Sequence, residues 1–377
     1  MSVDWELTTL AGCSENLDKL RKPITKSKRE AGSIPYYGAS GIVDHVANYI
    51  FDEDLLLVSE DGANLLARTY PIAFSISGKT WVNNHAHVLR FSDRSTQKFV
   101  EYYLNSISLE PWVSGMAQPK LNQTKLNEIP IPLPPLSEQI RIVAILDEAF
   151  ASIDQAKANT ERNLANAREL FDSYLNRVFE EKGEGWERVT LPECSTNLDK
   201  SRKPITKSKR EPGSIPYYGA SGVVDHVKDH IFDEDLLLIS EDGANLLART
   251  YPIAFSISGK TWVNNHAHVL RFDDERTRRF VEFYLNSISL EPWVSGMAQP
   301  KLNQTKLNSI PIPQPTLDEQ GHIVELLENV SNSAKELKLK GKEKLASLGL
   351  LKQSILKKAF AGELTSNPDK VLNEVGV

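Results

Sequence analysis

The sequence repeats itself with a constant step of 181 positions, and this repeat is the feature that most constrains its fold. Residues 51–91 recur as residues 232–272 with one substitution, and residues 104–127 recur unchanged as residues 285–308. A solenoid repeat is far shorter, at roughly 20–50 residues. The chain is therefore a duplicated domain with its connector, and it carries one binding surface twice.

The composition is typical of a soluble globular protein. The chain has 377 residues, of which 40% are hydrophobic and 25% charged, which is enough for two or three domains. No apolar run reaches membrane-spanning length and the start does not resemble a signal peptide, so we expect a cytoplasmic protein with no membrane partner. The net charge of −6 counts mildly against a nucleic-acid binder, but a basic face can coexist with acidic helices. Cys13 and Cys194 are repeat mates and read as packing residues.

Each copy begins with a globular part, predicted at residues 1–135 and 183–316. In the first copy, short apolar runs at residues 54–59 and 71–76 are bounded by turn-forming residues, which predicts buried strands in a mixed or antiparallel sheet. Residues 93–106 carry aromatic side chains at helical spacing and predict a helix. The expected fold class is α+β.

A long helix is predicted after each globular part, at residues 136–182 and 317–362, with a tail at residues 363–377. Residues 129–135 alternate with prolines, which predicts a stiff extended segment in front of the first helix. The helical apolar residues alternate in steps of three and four, which is typical of a heptad seam, and such a helix would be roughly 65 Å long. We expect the two helices to pair as an antiparallel coiled coil; the alternative is that each helix folds back on its own globular part.

The sequence motifs of common enzyme classes are missing. There is no phosphate-binding glycine loop, no nucleophile elbow and no zinc-spaced set of histidines and cysteines, so no metal is expected. His85 and His87 could share one strand face as a metal pair, but two polar surface or groove residues are the favoured interpretation. Glu60 and Asp61 are adjacent carboxylates that a turn at Asp61-Gly62 explains better than a catalytic dyad does.

A basic segment rich in hydroxyl groups lies near the start of each copy. Lysine, arginine, serine and threonine are common donors to phosphate oxygens, so DNA phosphate binding is favoured over the alternative of a solvated loop. The candidate phosphate-binding residues are Lys19, Arg21, Lys22, Lys26, Lys28 and Arg29, with Lys200, Arg202, Lys203, Lys207, Lys209 and Arg210.

Four polar segments in each copy combine amides, cations, hydroxyls and aromatic rings. Arginine and lysine suit guanine edges, and asparagine and glutamine suit adenine edges. For any single residue, turn chemistry and capping remain the alternative, but the coincidence of four segments favours base reading. The candidates are Tyr37, Ser40, Asn64, Arg68, Lys79, Asn83, Asn84, His85, Gln118, Lys120 and Asn122, with Tyr218, Ser221, Asn245, Arg249, Lys260, Asn264, Asn265, His266, Gln299, Lys301 and Asn303.

Several motifs resemble those of the specificity subunit of type I restriction–modification systems, and the resemblance covers essentially the whole chain. The repeated motifs begin at Trp5, Ile34, Phe51 and Gly115, and recur at Trp186, Ile215, Phe232 and Gly296. The proline-rich junction ending at Gln139 and the closing stretch 355–364 add to it. The order is that of the family: target-recognition domain, helix, target-recognition domain, helix.

The resemblance implies the partners and the activity. Each target-recognition domain would read half of a split site on double-stranded DNA from the major groove, and the helices would space the halves. Two modification subunits would methylate adenine with S-adenosylmethionine, and restriction subunits would add an ATP- and Mg²⁺-dependent translocating nuclease. The chain itself would hold no cofactor and catalyse nothing.

The near-identity of the two copies departs from the family, whose members typically carry two different recognition domains. All candidate reading residues match between copies, whereas Ala47-Asn48-Tyr49 becomes Lys228-Asp229-His230. An antiparallel spacer would relate the copies by a pseudo-twofold axis, so an interrupted palindrome is expected. Two other functions remain open: a stand-alone DNA-binding regulator, and a hydrolase using Glu60, Asp61 and His85.

Overall fold

The computed structural model describes residues 5–115, 117–181, 185–296 and 298–365. The chain forms two compact units. Unit 1 contains the described residues up to Thr160 together with those from Lys342 onward, and unit 2 contains the described residues from Glu161 to Gly341. Each unit therefore combines one globular head with a part of each long helix. The boundaries between the units lie inside the two long helices, so each predicted helical segment contributes to both units.

Head 1, the globular part before the first long helix, has the following strands and α-helices among its described residues. In chain order they are β1 (Glu6–Thr9), α1 (Leu10–Cys13), β2 (Glu15–Asn16), β3 (Ile34–Gly38), β4 (Gly41–Val46), β5 (Phe51–Asp52), β6 (Leu55–Ser59), α2 (Asn64–Ala67), β7 (Ala73–Ile76), β8 (Lys79–Val82), β9 (Ala86–Arg90), α3 (Arg94–Ser106), α4 (Gln123–Asn127) and β10 (Pro130–Leu133). The first long helix, α5, follows at Leu136–Glu181. Position 182, the predicted last residue of that helix, lies outside the described residues.

Head 2 repeats this order element by element. Its elements are β11 (Glu187–Val189), α6 (Leu191–Cys194), β12 (Thr196–Asn197), β13 (Ile215–Gly219), β14 (Gly222–Val227), β15 (Phe232–Asp233), β16 (Leu236–Ser240), α7 (Asn245–Ala248), β17 (Ala254–Ile257), β18 (Lys260–Val263), β19 (Ala267–Arg271), α8 (Glu275–Ser287), α9 (Gln304–Asn308) and β20 (Ile312–Gln314). The second long helix, α10, spans Leu317–Phe360. The repeated α+β class predicted from the sequence is confirmed.

Two four-stranded sheets build each head. In head 1 their strand orders are β2-β9-β6-β7 and β4-β3-β8-β5, and only β3 and β8 pair in parallel. All five residues of β6 are buried, because both faces of this strand are covered. Leu56 and Val58 pack in the core that contains Phe99 of α3, whereas Leu55 and Leu57 pack in the second core. Their alternation is the two-residue period of a strand with a core on each side.

The proline-rich segment is extended, as predicted, but it also forms a paired strand, which the prolines argued against. β10 pairs antiparallel with β1, and Pro130 and Pro132 lie opposite Thr9 and Leu7. An antiparallel ladder uses the backbone groups of only every second residue for each neighbour. Prolines at alternate positions of a two-stranded sheet therefore leave the required donors in place.

In unit 1, the first part of α5 packs both on the head and on the last part of α10. Ile142, Leu146 and Ile153 of α5 share a core with Ile355 and Ala359 of α10. Lys352 Nζ lies 3.7 Å from Asp154 Oδ1, and Thr365 hydrogen-bonds to Glu138. The partner number falls as the α5 number rises, so these helical parts run antiparallel. The predicted tail enters this core through Leu364, and residues 366–377 lie outside the described residues.

In unit 2, the last part of α5 packs on the first part of α10 and on head 2. Val178 and Phe179 share a core with Ile323 and Leu327 of α10. Gly341 of α10 lies at a close approach to α5, because a Cβ there would meet Leu164 Cδ2 at 2.6 Å. Helix pairing and packing on a head, predicted as alternatives, thus occur together. No helix among the described residues is long and apolar enough to cross a membrane.

Candidate nucleic-acid interface

The polar segments singled out in the sequence meet at one end of each head. In head 1, the Glu60 backbone N–H donates to the His85 carbonyl at 2.9 Å, and the Leu121 N–H donates to the Glu60 carbonyl at 2.8 Å. The Gly62 N–H donates to the Pro119 carbonyl at 3.0 Å. Three loops that are distant in sequence are therefore tied together by backbone hydrogen bonds.

The β3–β4 hairpin joins the same surface. The Ser59 hydroxyl donates to the Ala39 carbonyl at 2.6 Å, and the Asn83 N–H donates to the Tyr37 carbonyl at 3.0 Å. The same bonds recur at the repeat mates in head 2. We call this surface the polar end; it comprises residues 36–41, 59–68, 82–85 and 118–122 of head 1 and residues 217–222, 240–249, 263–266 and 299–303 of head 2.

The basic segment is anchored beside the polar end. Arg21 Nη1 donates to Glu60 Oε2 at 2.6 Å, and the Trp81 indole N–H donates to the Lys22 carbonyl at 2.6 Å. The Ile24 N–H donates to the Tyr36 hydroxyl at 2.9 Å. The structure thus brings the basic segment together with parts of all four polar segments of one head.

A buried ionic network lies beneath the polar end. His87 Nδ1 lies 2.6 Å from Asp18 Oδ2, and His87 Nε2 lies 2.7 Å from the Leu121 carbonyl oxygen. Both partners are oxygen atoms that can accept hydrogen bonds, so each ring nitrogen of His87 faces an acceptor. Together, His87 and Arg21 balance the carboxylates of Asp18 and Glu60.

The pKa values of the two acids reflect this balance. Burial raises the pKa of Asp18, but His87, the Val88 N–H and Arg21 together outweigh burial and hold that pKa below its usual value. The pKa of Glu60 is likewise pushed up by burial and brought below its usual value by Arg21 and His87. Glu60 is therefore held as a carboxylate, which does not suit the general acid of the hydrolase alternative.

The cluster of Asp18, Glu60 and His87 is the one place in this head, among the described residues, where three potential metal ligands converge. Arg21 already bridges the two carboxylates, with Nη2 3.3 Å from Asp18 and Nη1 2.6 Å from Glu60. A guanidinium thus supplies the positive charge that a metal ion would otherwise bring. The residues fit a structural ion network better than a metal centre.

The two histidines do not form a pair. His85 is exposed and lies 2.8 Å from Asp61, whereas His87 is buried in the network described above. The expectation of two surface or groove residues is therefore wrong for His87 and its mate His268, because the sheet covers them. Burial raises the pKa of the Cys13 thiol to about 11, which suits a packing residue.

The arginines of the basic segment, predicted as phosphate ligands, have partners within the fold. Arg21 donates to Glu60 within the buried network, and Arg202 donates to Glu241 in the same way in head 2. Arg29 Nη1 donates to Asp44 at 2.8 Å and its guanidinium lies 4.4 Å from the centroid of the Tyr36 ring; Arg210 repeats this arrangement. The exposed candidates are Lys19, Lys22, Lys26, Lys28, Lys200, Lys203, Lys207 and Lys209.

Four base-reading candidates of each head also serve the fold. Asn64 Oδ1 accepts from the Thr69 N–H at 2.8 Å, and Asn122 caps α4. Arg68 has a left-handed backbone with φ 54° and donates to the Leu104 carbonyl at 3.0 Å, and burial lowers its pKa. Asn83 is buried, with its Oδ1 accepting from the His85 N–H. The same holds for Asn245, Asn303, Arg249 and Asn264.

The remaining candidates keep exposed side chains, with one exception. Tyr37 and its mate Tyr218 are half-buried against Phe74 and Phe255. Lys120 lies 3.2 Å from Glu60, and Lys79 lies over the Tyr49 ring at the opposite end of β8 from Asn83. The exposed candidates are Ser40, Lys79, Asn84, His85, Gln118, Lys120, Ser221, Lys260, Asn265, His266, Gln299 and Lys301.

Sequence reasoning missed the buried acid Asp18 and the exposed apolar residues Ile42 and Val43 on β4. Nothing in the sequence distinguishes Asp18 from a solvated acid inside a basic run. The apolar pair Ile42-Val43 directly after the Ser40-Gly41 turn could have indicated a binding surface. Exposed apolar residues on an edge strand are either covered by the fold or bind a partner.

A family model described as "Type I restriction modification DNA specificity domain" matches residues 2–163 and 183–346. A putative type I restriction enzyme specificity subunit of Haemophilus influenzae is 28% identical over 366 residues, covering 89% of this chain and 90% of its own length. The type I restriction enzyme EcoDI specificity subunit of Escherichia coli is 23% identical over 430 residues, covering 99% of this chain and 93% of its own length.

Solved structures share the fold. One, described as the structural basis of complex assembly and conformational transition of the type I system, superposes with a TM-score of 0.71 at 19% identity, covering 96% of this chain and 98% of that chain. The HsdS subunit of Thermoanaerobacter tengcongensis superposes with a TM-score of 0.56 at 20% identity, covering 96% of this chain and 97% of that chain.

Proposed function

Since the chain belongs to the family of type I restriction–modification DNA specificity subunits, we propose that each head reads one half of a split DNA site and that both halves have the same sequence. Members of this family are non-catalytic specificity components. The observation that carries the proposal is the repetition of every polar-end residue, with its hydrogen bonds, in the second head.

Two identical reading surfaces require the same bases from each half-site. The exposed reading candidates are the same residue types in both heads, and the bonds that fix their loops have matching lengths. Each unit also has the same make-up: one head, the first part of the helix that follows it, and the last part of the other helix. With the two copies reading opposite strands, the site is an interrupted palindrome.

The exposed lysines of the basic segment contact phosphates and fix each head on the duplex. Contacts to phosphate supply affinity that does not depend on sequence, whereas contacts to base edges supply discrimination. Lys19, Lys22, Lys26 and Lys28 flank the polar end through the anchored segment, so both kinds of contact come from one surface.

The partners are double-stranded DNA in the cytoplasm and the subunits that act on it. Two modification subunits carry S-adenosylmethionine and methylate adenine, and restriction subunits carry ATP and Mg²⁺. The specificity chain positions them and holds no cofactor itself. Its buried carboxylates are neutralised by arginine and histidine, which supports a binding role over the hydrolase alternative.

A matched pair of variants tests the proposal. Asn84→Ala with Gln118→Ala alters head 1, and Asn265→Ala with Gln299→Ala makes the same change in head 2. Selection of bound duplexes from a randomised pool, with the full chain in complex with its modification subunits, should show each variant relaxing the same bases, but in opposite halves. Loss of a good side-chain–base pair costs about 1–3 kcal/mol of discrimination.

Relaxation of unrelated bases by the two variants would contradict the shared half-site. An intact preference for the full site in both would show that these residues do not read bases. A chain that binds its site and regulates transcription without any methyltransferase partner would favour the stand-alone regulator instead.

A further inference from the structure

The β3–β4 hairpin carries exposed apolar side chains at its tip. Ile42 is 54% exposed and Val43 is 49% exposed, and their mates Val223 and Val224 are 49% and 50% exposed. β4 lies at the edge of its sheet, next to β3 only. An exposed edge strand with β-branched apolar residues is a site for unwanted pairing unless a partner covers it.

A β-bulge sets the direction of these side chains. The register passes from Tyr36 opposite Asp44 to Tyr37 opposite Ile42, so Val43 is the extra residue of β4. A Cβ at Gly38 would lie 3.1 Å from Val43 Cγ1, so the missing side chain of this glycine makes room for Val43. Bulges re-aim side chains and are frequent at functional sites. The same register shift occurs in β13–β14.

Positive charge lies alongside this hairpin. The Arg29–Asp44 ion pair and a 3.0 Å hydrogen bond from the Ala47 N–H to the Glu30 carbonyl hold the basic segment against β4. The hydrogen bond from Arg29 lowers the pKa of the Asp44 carboxyl, and the charge of the exposed Lys26 acts in the same direction. An apolar tip on a strand that is tied to a lysine-bearing segment complements a DNA groove, which has base edges at its floor and phosphates along its rims.

We propose that the β3–β4 hairpin enters the major groove and that Ile42 and Val43 contact the C5-methyl group of thymine, as Val223 and Val224 do in the other half-site. This proposal rests on the proposed function. The major groove is about 12 Å wide and admits a two-stranded ribbon, and the thymine methyl is the apolar group on its floor. These residues add apolar selection for thymine to the polar reading set.

The hairpin tip stays apolar and β-branched in both heads, although its sequence differs between them. Ile42 is replaced by Val223, which is also apolar and β-branched, whereas residues 47–49, a few positions along the chain, change in charge and size to residues 228–230. The exchange removes one methylene and leaves the contact with a methyl group possible.

Replacement of thymine by deoxyuridine tests the contact, because only the C5-methyl group is removed. The probe is a duplex bearing the site mapped from the methylated genome, with each thymine of one half replaced in turn. The wild-type chain, in complex with its modification subunits, should bind about fourfold more weakly when the contacted thymine is replaced, as expected for one methyl-sized apolar group. The variant Ile42→Ala, Val43→Ala, Val223→Ala, Val224→Ala should bind both duplexes equally.

Leu170→Ala is the matched control, because Leu170 is an exposed apolar residue on α5. It should keep the fourfold response. Specific binding without any thymine response, or a response that persists in the quadruple variant, would overturn the proposal. So would a variant that keeps the thymine response and loses its modification subunits, since the hairpin would then bind protein. A wild-type complex with no preference for the mapped site would overturn the proposed function itself.

Discussion

Arg29 and Lys28 are neighbours in one basic run, yet only one of them is available to a ligand. Arg29 is held by Asp44, by the Ile24 carbonyl and by the ring of Tyr36, whereas Lys28 is exposed. A guanidinium can satisfy several acceptors at once, which suits it to internal networks. The ammonium of lysine is a compact charge on a flexible stem, and that of Lys28 lies in the exposed turn at Lys26–Lys28.

Removal of the exposed lysines should weaken binding to every DNA sequence. In the variant Lys26→Ala, Lys28→Ala, the slope of log Kobs against log salt concentration should become shallower by about 0.9 for each phosphate that the two lysines neutralise in the wild-type complex. Titrations of specific and random duplexes at several salt concentrations measure this slope.

Lys98→Ala is the control for this change, because Lys98 is paired with Glu101 at 3.1 Å on α3. It should leave the slope unchanged. A double lysine variant with altered base preference and an intact slope would show that the segment reads bases instead of phosphates.

At the residue scale, the sequence predicted the position of the polar end better than the role of each side chain. Asn64, Arg68 and Asn83 have the chemistry of base readers, yet each bonds to the backbone of a nearby loop. Composition cannot distinguish a side chain that holds a loop from one that the loop presents, because both need hydrogen-bonding groups.

Among the helices and strands, sequence periodicity was sufficient to predict those whose local pattern alone indicates their type. The helix predicted at residues 93–106 is α3, with Asp93 as its N-cap, and the buried run at 54–59 is β6. The pairing of β10 was not predicted, because proline is rare in paired strands. Its prolines are tolerated only because β1 is its single neighbour in a two-stranded sheet. Pairing between segments far apart in sequence leaves little local signal.

The end of α10 should stabilise head 1 although it is remote in sequence. Phe360 packs edge-on against Phe99 and Tyr103, with ring centroids 5.4 Å and 5.2 Å away. Phe360→Ala should lower the free energy of unfolding of unit 1 by about 3 kcal/mol, because truncation of a packed aromatic ring leaves a cavity. Hydrogen exchange of β6 and α3 would report this destabilisation.

The repeat mate provides the matched comparison. Phe179 packs in the same way against Phe280 and Tyr284, so Phe179→Ala should increase exchange in β16 and α8 instead. Equal loss of protection in both heads from either variant would contradict the assignment of each helix end to one unit.

At the scale of the whole molecule, the 181-residue step predicted the duplication, and the structure adds how each unit is assembled. A unit takes its head and the first part of one helix from one repeat, and the last part of a helix from the other. The order of segments along the chain cannot show this exchange, because antiparallel pairing of helix parts is decided by tertiary packing.

Single-molecule sequencing of methylated DNA, from cells expressing this chain with its modification subunits, distinguishes a palindromic site from a site with two unrelated halves. If one specificity is displayed twice, the modified adenines will lie in an interrupted palindrome, with the same half-site on opposite strands across a fixed gap. Two unrelated half-sequences would contradict the account, since identical polar ends would then have read different bases.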